Sequence, residues 1–173
     1  MCSPGDEYLS FLADAGCDPG VIEHCKTVRD VALRIASDII RTGVHVALDR
    51  VAAGAILHDI GRSRTHGMAH ADEGGDICRS KGLDEAICRI VERHIGAGLY
   101  ADERARFGLS AVDRIPETLE EKIVAHADNL VKGTRVVSRE EFVASLQRFD
   151  KPVRSRFLDL ADELERLSGA YRD

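Results

Sequence analysis

The chain has 173 residues, of which 44% are hydrophobic and 31% charged, and this is the size and composition of one globular domain with a single core. A formal net charge of −6 argues against a long nucleic acid or an anionic membrane surface as partner, and no apolar run reaches the ~20 residues that cross a bilayer. The five cysteines are odd in number and form no Cys-x-x-Cys pair, so we expect a cytoplasmic protein rather than a disulfide-stabilised one.

Apolar residues recur at helical spacing along most of the chain, and the alternation typical of strands is nearly absent. Capping residues, glycines and prolines delimit seven predicted helices, at about 18–42, 47–60, 69–81, 84–95, 118–131, from 138 onward and 152–167. The stretch 97–116 reads as irregular with one helical turn at 102–107, and connections of this length often form lids or binding loops. The predicted fold is therefore all-α, a compact single-domain bundle of about six to seven helices.

Three helix boundaries carry specific signals. Gly61 is expected to cap the second helix at its C-terminus, and Gly96 is expected to cap the fourth. Thr118 and Glu121 have the spacing of a capping box at the start of the fifth helix. The last helix, 152–167, either completes the core or forms the seam of a homodimer.

Five predicted helices each place one metal-competent residue on their apolar side. These residues are His24, His58, His70, His94 and Asp128, and Asp59 directly follows His58. A single histidine on such a face is usually a core residue with a satisfied hydrogen bond. Burying all of them unpaired would cost on the order of 1–3 kcal/mol each, which a net stability of about 5–15 kcal/mol does not allow. A shared cation resolves this, because imidazoles and carboxylates are usual ligands of Fe, Mn, Co, Ni and Zn.

The order of these residues resembles a known signature. His24, the pair His58-Asp59 and Asp128 are similar to the four-residue motif of the HD superfamily of metal-dependent phosphohydrolases. His70 in His-Ala-Asp-Glu-Gly-Gly and His94 in Val-Glu-Arg-His resemble the two additional histidines of dinuclear members.

The resemblance extends over most of the chain. It is strongest to small stand-alone HD-domain proteins of archaea and more distant to the bacterial HD-type diadenosine tetraphosphate hydrolases. It implies one HD domain over residues 1–173, with a metal-binding core at about 18–135 and the helices of 138–168 packed on it.

The same resemblance implies a ligand set for two divalent transition-metal ions, which are Fe, Mn, Co, Ni or Zn. His24, His58, Asp59 and Asp128 would hold one ion, and Asp59, His70 and His94 the other, so that Asp59 bridges them. A metal-bound hydroxide would then attack a phosphate ester or anhydride. The implied substrate is a small phosphorylated molecule, with a nucleotide as the leading candidate.

Positive groups should bind the phosphate. Asp128, Lys132 and Arg135 have the spacing of one helical face, so both cations are candidate substrate-binding residues, with Lys132 also catalytic. Arg62, three residues after Asp59, is assigned both roles, and His66 is a candidate substrate-binding residue. The alternative for Lys132 and Arg135 is that they are solvated charges at a helix end.

Two other functions fit the same ligands. HD-type di-iron oxygenases are similar in this pattern and use their metals to activate dioxygen. A non-catalytic module that binds a nucleotide through an inherited site is the third hypothesis. The cations near Asp128 favour phosphate chemistry over the oxygenase.

Overall fold

A computed structural model of the chain describes residues 3–169, and these residues contain nine α-helices and one short hairpin. The helices are α1 (Leu9–Ala15), α2 (Pro19–Arg41), α3 (Leu48–Leu57), α4 (His70–Ser80), α5 (Glu85–Glu92), α6 (Ala101–Arg106), α7 (Leu119–Asn129), α8 (Arg139–Ser145) and α9 (Lys151–Leu167). The antiparallel hairpin pairs β1 (Val131–Lys132) with β2 (Arg135–Val136). The all-α prediction is confirmed, and the two helices beyond the predicted seven are α1 and the short α6. None of the described helices is long and apolar enough to cross a membrane.

The longest helix, α2, organises the bundle. It begins at Pro19, whose fixed φ suits the first turn, with Asp18 at the N-cap position. Its buried face carries Val28, Ala32 and Ile39 at helical spacing. This face packs against α3 and α7, so three of the predicted metal-binding segments meet around α2.

Two hydrophobic clusters form the core. One lies among α2, α3, α7, α8 and α9 and includes Val28, Val51, Ile123, Val124, Phe142, Phe157 and Leu164. The other lies among α1 to α5 and includes Leu12, Cys25, Ile56, Leu57, Ile77 and Val91. His58 directly follows Leu57 of the second cluster, and Asp128 directly follows Ala127 of the first. The polar residues therefore lie where the two clusters adjoin.

The helix α3 ends at Leu57, and the cap predicted at Gly61 is wrong. Gly61 belongs to a 3₁₀ segment, Ile60–Ser63, and its φ is not in the left-handed region. A Cβ on Gly61 would stand 1.9 Å from the carbonyl oxygen of His70. Glycine is needed here because the backbone of this segment lies directly against the first turn of α4.

The helix α5 also ends earlier than expected, at Glu92, so Gly96 does not cap it. Gly96 instead has a φ of +61° in the connection that follows, and a Cβ there would stand 2.7 Å from the ring of Phe157. His94 consequently lies in an irregular segment rather than on the helix.

The largest difference from prediction follows Asp128. The helix α7 ends at Asn129, and the chain turns at Gly133, with a φ of +62°, into the hairpin. Asp128, Lys132 and Arg135 therefore do not share a helical face, and that expectation is wrong. The β-branched residues Val131 and Val136, which pair across the hairpin, favour extended backbone over another helical turn.

The start of α7 has half of its expected capping box. The Thr118 hydroxyl accepts a hydrogen bond from the Glu121 N–H at 3.2 Å. The Glu121 carboxylate does not return to Thr118, because it accepts from the Glu117 N–H at 2.7 Å and from Arg93 at 2.9 Å. The helix is capped, but Glu121 ties it to the end of α5.

Candidate metal centre

Six side chains from five parts of the fold converge on one point. They are His24 of α2, His58 and Asp59 just after α3, His70 at the first position of α4, His94 after α5, and Asp128 near the end of α7. All six of the residues predicted as metal ligands thus lie together.

One half of the centre surrounds Asp128. His24 Nε2 lies 3.0 Å from Asp128 Oδ1 and 3.9 Å from Asp59 Oδ2. His58 Nε2 lies 3.6 Å from Asp128 Oδ1 and 3.7 Å from Asp59 Oδ2. Two imidazoles and two carboxylates therefore face one another within the span of a single metal site.

The other half uses the second oxygen of Asp59. Asp59 Oδ1 lies 3.2 Å from His70 Nε2 and 3.6 Å from His94 Nε2. The two imidazole Nε2 atoms are 3.1 Å apart. Asp59 accordingly presents one carboxylate oxygen to each half, which is the geometry of a bridging ligand.

Backbone carbonyls orient all four histidines in the same way. The Nδ1 atoms of His24, His58, His70 and His94 each lie 2.7 Å from the carbonyl oxygens of Gly133, Ala55, Gly67 and Val91, respectively. A carbonyl oxygen only accepts, so each Nδ1 carries the proton, and a neutral ring is left with a lone pair on Nε2. All four Nε2 atoms point into the centre, an arrangement typical of metal-bound histidine.

Burial makes this arrangement unfavourable without a cation. His58 and His94 are 0% and 1% exposed, and Asp59 is 4% exposed. The His58 Nε2 and Asp59 Oδ1 atoms have no hydrogen-bond partner among residues 3–169. Unpaired buried polar atoms are costly, and opposed lone pairs repel. The nitrogen and oxygen donors fit divalent transition metals such as Fe, Mn, Co, Ni or Zn.

Electrostatics keep the two carboxylates ionised. Burial raises the pKa of Asp59, but the neighbouring His58, together with His70 and His94, outweighs burial and holds that pKa well below its usual range. Burial likewise raises the pKa of Asp128, and contacts with His24 and His58 reverse the effect. Both carboxylates are therefore available as ionised ligands for a cation.

Arg62 lies at the edge of the centre. Its Nε is 2.7 Å from Asp59 Oδ2, and its Nη1 donates to the carbonyl oxygen of His66 at 3.4 Å. The side chain of His66 is exposed. Sequence spacing thus correctly put Arg62 near Asp59, whereas His66 touches this group only through its backbone.

A cavity of about 490 Å³ opens beside Asp128. Its walls include four of the five phenylalanines of the chain, which are Phe107, Phe142, Phe149 and Phe157. Sequence analysis missed this aromatic wall, although the clustering of phenylalanine in the C-terminal third was a usable signal. Phe149 and Phe157 are stacked, with ring centroids 5.2 Å apart.

The structure separates the two cations of the hairpin. Lys132 lines the cavity next to Asp128 and has no ion pair in the part of the chain that the structure describes. Arg135 lies outside the cavity and pairs with Glu141 at 2.9 Å. The substrate-binding role predicted for Arg135 has therefore lost its geometric basis, while that of Lys132 keeps one.

Comparison with known proteins gives one family. The HD domain family model matches residues 21–133, which contain all six residues of the centre. An uncharacterised protein of Methanocaldococcus jannaschii is 43% identical over 165 residues, which are 94% of this chain and 97% of that protein.

Other relatives are longer. The tRNA (cytidine(56)-2'-O)-methyltransferases of Picrophilus torridus and Thermoplasma volcanium are 45% and 41% identical over 140 residues. The chain spans only 39% and 40% of their lengths, so their named activity is not transferred to it.

Among solved structures, the HD domain of the L. monocytogenes phosphodiesterase PgpH has a TM-score of 0.57 at 15% identity and covers 96% of this chain and 100% of its own. The same domain in complex with cyclic-di-AMP has a TM-score of 0.57 at 16% identity, with 96% and 98% covered. At these identities the likeness shows a shared fold.

Proposed function

This chain belongs to the HD domain family, and on that premise we propose that it is a metal-dependent phosphohydrolase acting on a small phosphate ester or anhydride. The observation that carries the proposal is the common orientation of the four histidines, whose Nε2 atoms all face two ionised carboxylates. This donor set would suit two divalent ions, one on His24, His58, Asp59 and Asp128 and one on Asp59, His70 and His94. Divalent ions there would lower the pKa of a water molecule and neutralise charge on a phosphoryl group.

The protein's own residues would orient and bind the phosphate. Arg62 is anchored through Nε to Asp59, which leaves most of its guanidinium donors for phosphate oxygens. Lys132 lines the same cavity as Asp128 and forms no ion pair with a carboxylate among residues 3–169. Both groups would offset the negative charge that builds up on the phosphoryl oxygens.

The cavity supports a nucleotide as the substrate. An aromatic wall next to the phosphate site would stack a nucleobase, and cations at the rim would hold further phosphate charge. The structural neighbour PgpH has been solved with cyclic-di-AMP, which is also a nucleotide.

The competing oxygenase chemistry uses the same ligand set. Lys132 beside the centre favours phosphate, because an exposed ammonium has no evident use in activating dioxygen. Release of inorganic phosphate or nucleotide product under nitrogen separates hydrolysis from oxygen-dependent turnover.

The test begins with metals per chain, by elemental analysis of protein purified without chelator or affinity-tag metal. We expect close to two transition-metal ions, and hydrolysis of at least one substrate in a panel of mono-, di- and cyclic nucleotides assayed with each metal. Asp59→Ala should lose both metals and activity together. Full metal occupancy with no turnover of any phosphate, but tight nucleotide binding, would instead support a non-catalytic module.

A further inference from the structure

Two acidic residues lie close in sequence to His70 and His94. These histidines and Asp59 form the second half-site of the centre, and His24, His58, Asp59 and Asp128 form the first. Asp72 follows His70 by two residues on α4, and Glu92 precedes His94 by two residues at the end of α5. Glu92 is 3% exposed, and the side chain of Asp72 is 28% exposed. A nearly buried carboxylate requires a close partner of opposite charge.

One arginine lies between these two carboxylates. Arg114 Nη1 lies 3.1 Å from Glu92 Oε2, and its Nη2 donates to Glu92 Oε1 at 3.3 Å. Arg114 Nε lies 3.5 Å from Asp72 Oδ1. Arg114 therefore links α4 to the end of α5 within two residues of each histidine, in addition to Arg79 of α4, whose Nη1 donates to Glu92 Oε1 at 2.6 Å.

Neighbouring contacts fix this arginine in place. The Arg114 backbone pairs with Leu99 in both directions, at 2.9 and 3.0 Å. Arg104, only 1% exposed, donates from Nη2 to Asp72 Oδ2 at 2.7 Å and from Nε to the Ser110 carbonyl at 3.0 Å. The segment 97–116 is thereby attached to α4, which carries His70, and to the end of α5, which His94 follows.

The contacts of Arg114 with Asp72 and Glu92 bear on metal binding because they hold α4 against the end of α5. Ligand distances in metal sites hold to about 0.2 Å, so a relative shift of α4 and α5 by a fraction of an ångström would misplace His70 against His94. The first half-site depends on other elements, since His24 and Asp128 belong to α2 and α7 and His58 directly follows α3. Loss of Arg114 should therefore act on one half of the centre.

We propose that Arg114 is a positioning residue for the second half-site. It sets the metal affinity of that half-site by holding His70 and His94 at the separation that one metal ion requires. The proposal rests on the function proposed above, because it takes Asp59, His70 and His94 as ligands of one ion. Arg114 acts through Asp72 and Glu92 and does not itself contact the metal-binding atoms.

The test is a calorimetric titration of metal-free protein with Co²⁺. The wild type should show two binding events, and His94→Ala should identify the second half-site by removing one of them. Arg114→Met should weaken that same event by about 10–100-fold, the usual effect of losing such a supporting contact. The other event should stay within about twofold.

Three further variants sharpen the result. Arg114→Lys keeps a charge and should restore part of the lost affinity. Arg89→Met removes an exposed arginine of α5, whose nearest carboxylate, that of Glu85, is 3.7 Å away, and should change neither event. Arg114→Gln removes the charge but keeps a polar side chain, and it replaces Arg114→Met if that variant does not fold by circular dichroism.

Each remaining outcome is decisive. Two wild-type events that Arg114→Met leaves unchanged, or weakens equally, would overturn the inference and leave the two-metal proposal intact. A wild type that binds fewer than two ions would contradict the two-metal proposal itself and the inference with it.

Discussion

The Nε2 atoms of His70 and His94 lie 3.1 Å apart, and each ring donates its Nδ1–H to a backbone carbonyl on its far side. In their neutral form, two imidazoles held in this way oppose their Nε2 lone pairs at hydrogen-bond distance. Such a contact is repulsive, and it becomes favourable when both nitrogens coordinate one cation.

Metal should therefore stabilise the fold. Adding Mn²⁺ or Co²⁺ to metal-free protein at about 100 times its dissociation constant should stabilise it by about 2.7 kcal/mol per site, measured as a rise in Tm. His94→Ala should show a smaller rise and Asp59→Ala almost none. An unchanged Tm in the wild type throughout the metal titration would contradict metal binding at this centre.

Gly61→Ala should destabilise the protein. The added methyl group would stand 1.9 Å from the His70 carbonyl oxygen and 2.6 Å from the Gly74 nitrogen, both backbone atoms that cannot turn aside. We expect a loss of about 1–3 kcal/mol in urea unfolding, with weaker metal binding because His70 shifts. Gly20→Ala is the matched control, since nothing lies within 4 Å of its Cβ position and alanine favours a helix.

Lys132 and Arg135 should differ in their effect on activity. Lys132→Ala should lower kcat/KM for the phosphate substrate by about 10–100-fold, equivalent to a lost charged hydrogen bond of about 1.5–3 kcal/mol. Arg135→Ala should stay within about twofold, because Arg135 pairs with Glu141 outside the cavity. Equal losses in both variants would show that Arg135 also binds the substrate, against its position outside the cavity.

Phe107 should contribute to substrate affinity without contributing to stability. It lines the cavity yet is 54% exposed, so truncation removes a stacking surface and little of the core. Phe107→Ala should raise KM for a nucleotide about fivefold or more, from about 1 kcal/mol of stacking, and leave the free energy of unfolding unchanged. Val112→Ala, 45% exposed on the same connection, should change neither quantity.

The sequence determined the helical class and which residues would meet at the centre. Helical periodicity is a local property, so the direction of His24, His58 and Asp128 relative to their apolar neighbours could be predicted without the fold. The predicted direction was also correct for His94, although α5 ends before it, because His94 is only two residues past the end of the helix. Metal binding by these residues stays a prediction.

Only the tertiary structure decided the distances between the residues of the centre and which other residues surround them. The distances around Asp59, the approach of Gly61 to α4 and the link from Arg114 to Asp72 and Glu92 all join different elements of the fold. The hairpin that separates Lys132 from Arg135 depends on a turn at Gly133, whose carbonyl also orients His24. Such features follow from the packing of one element against another, which periodicity along a single helix does not encode.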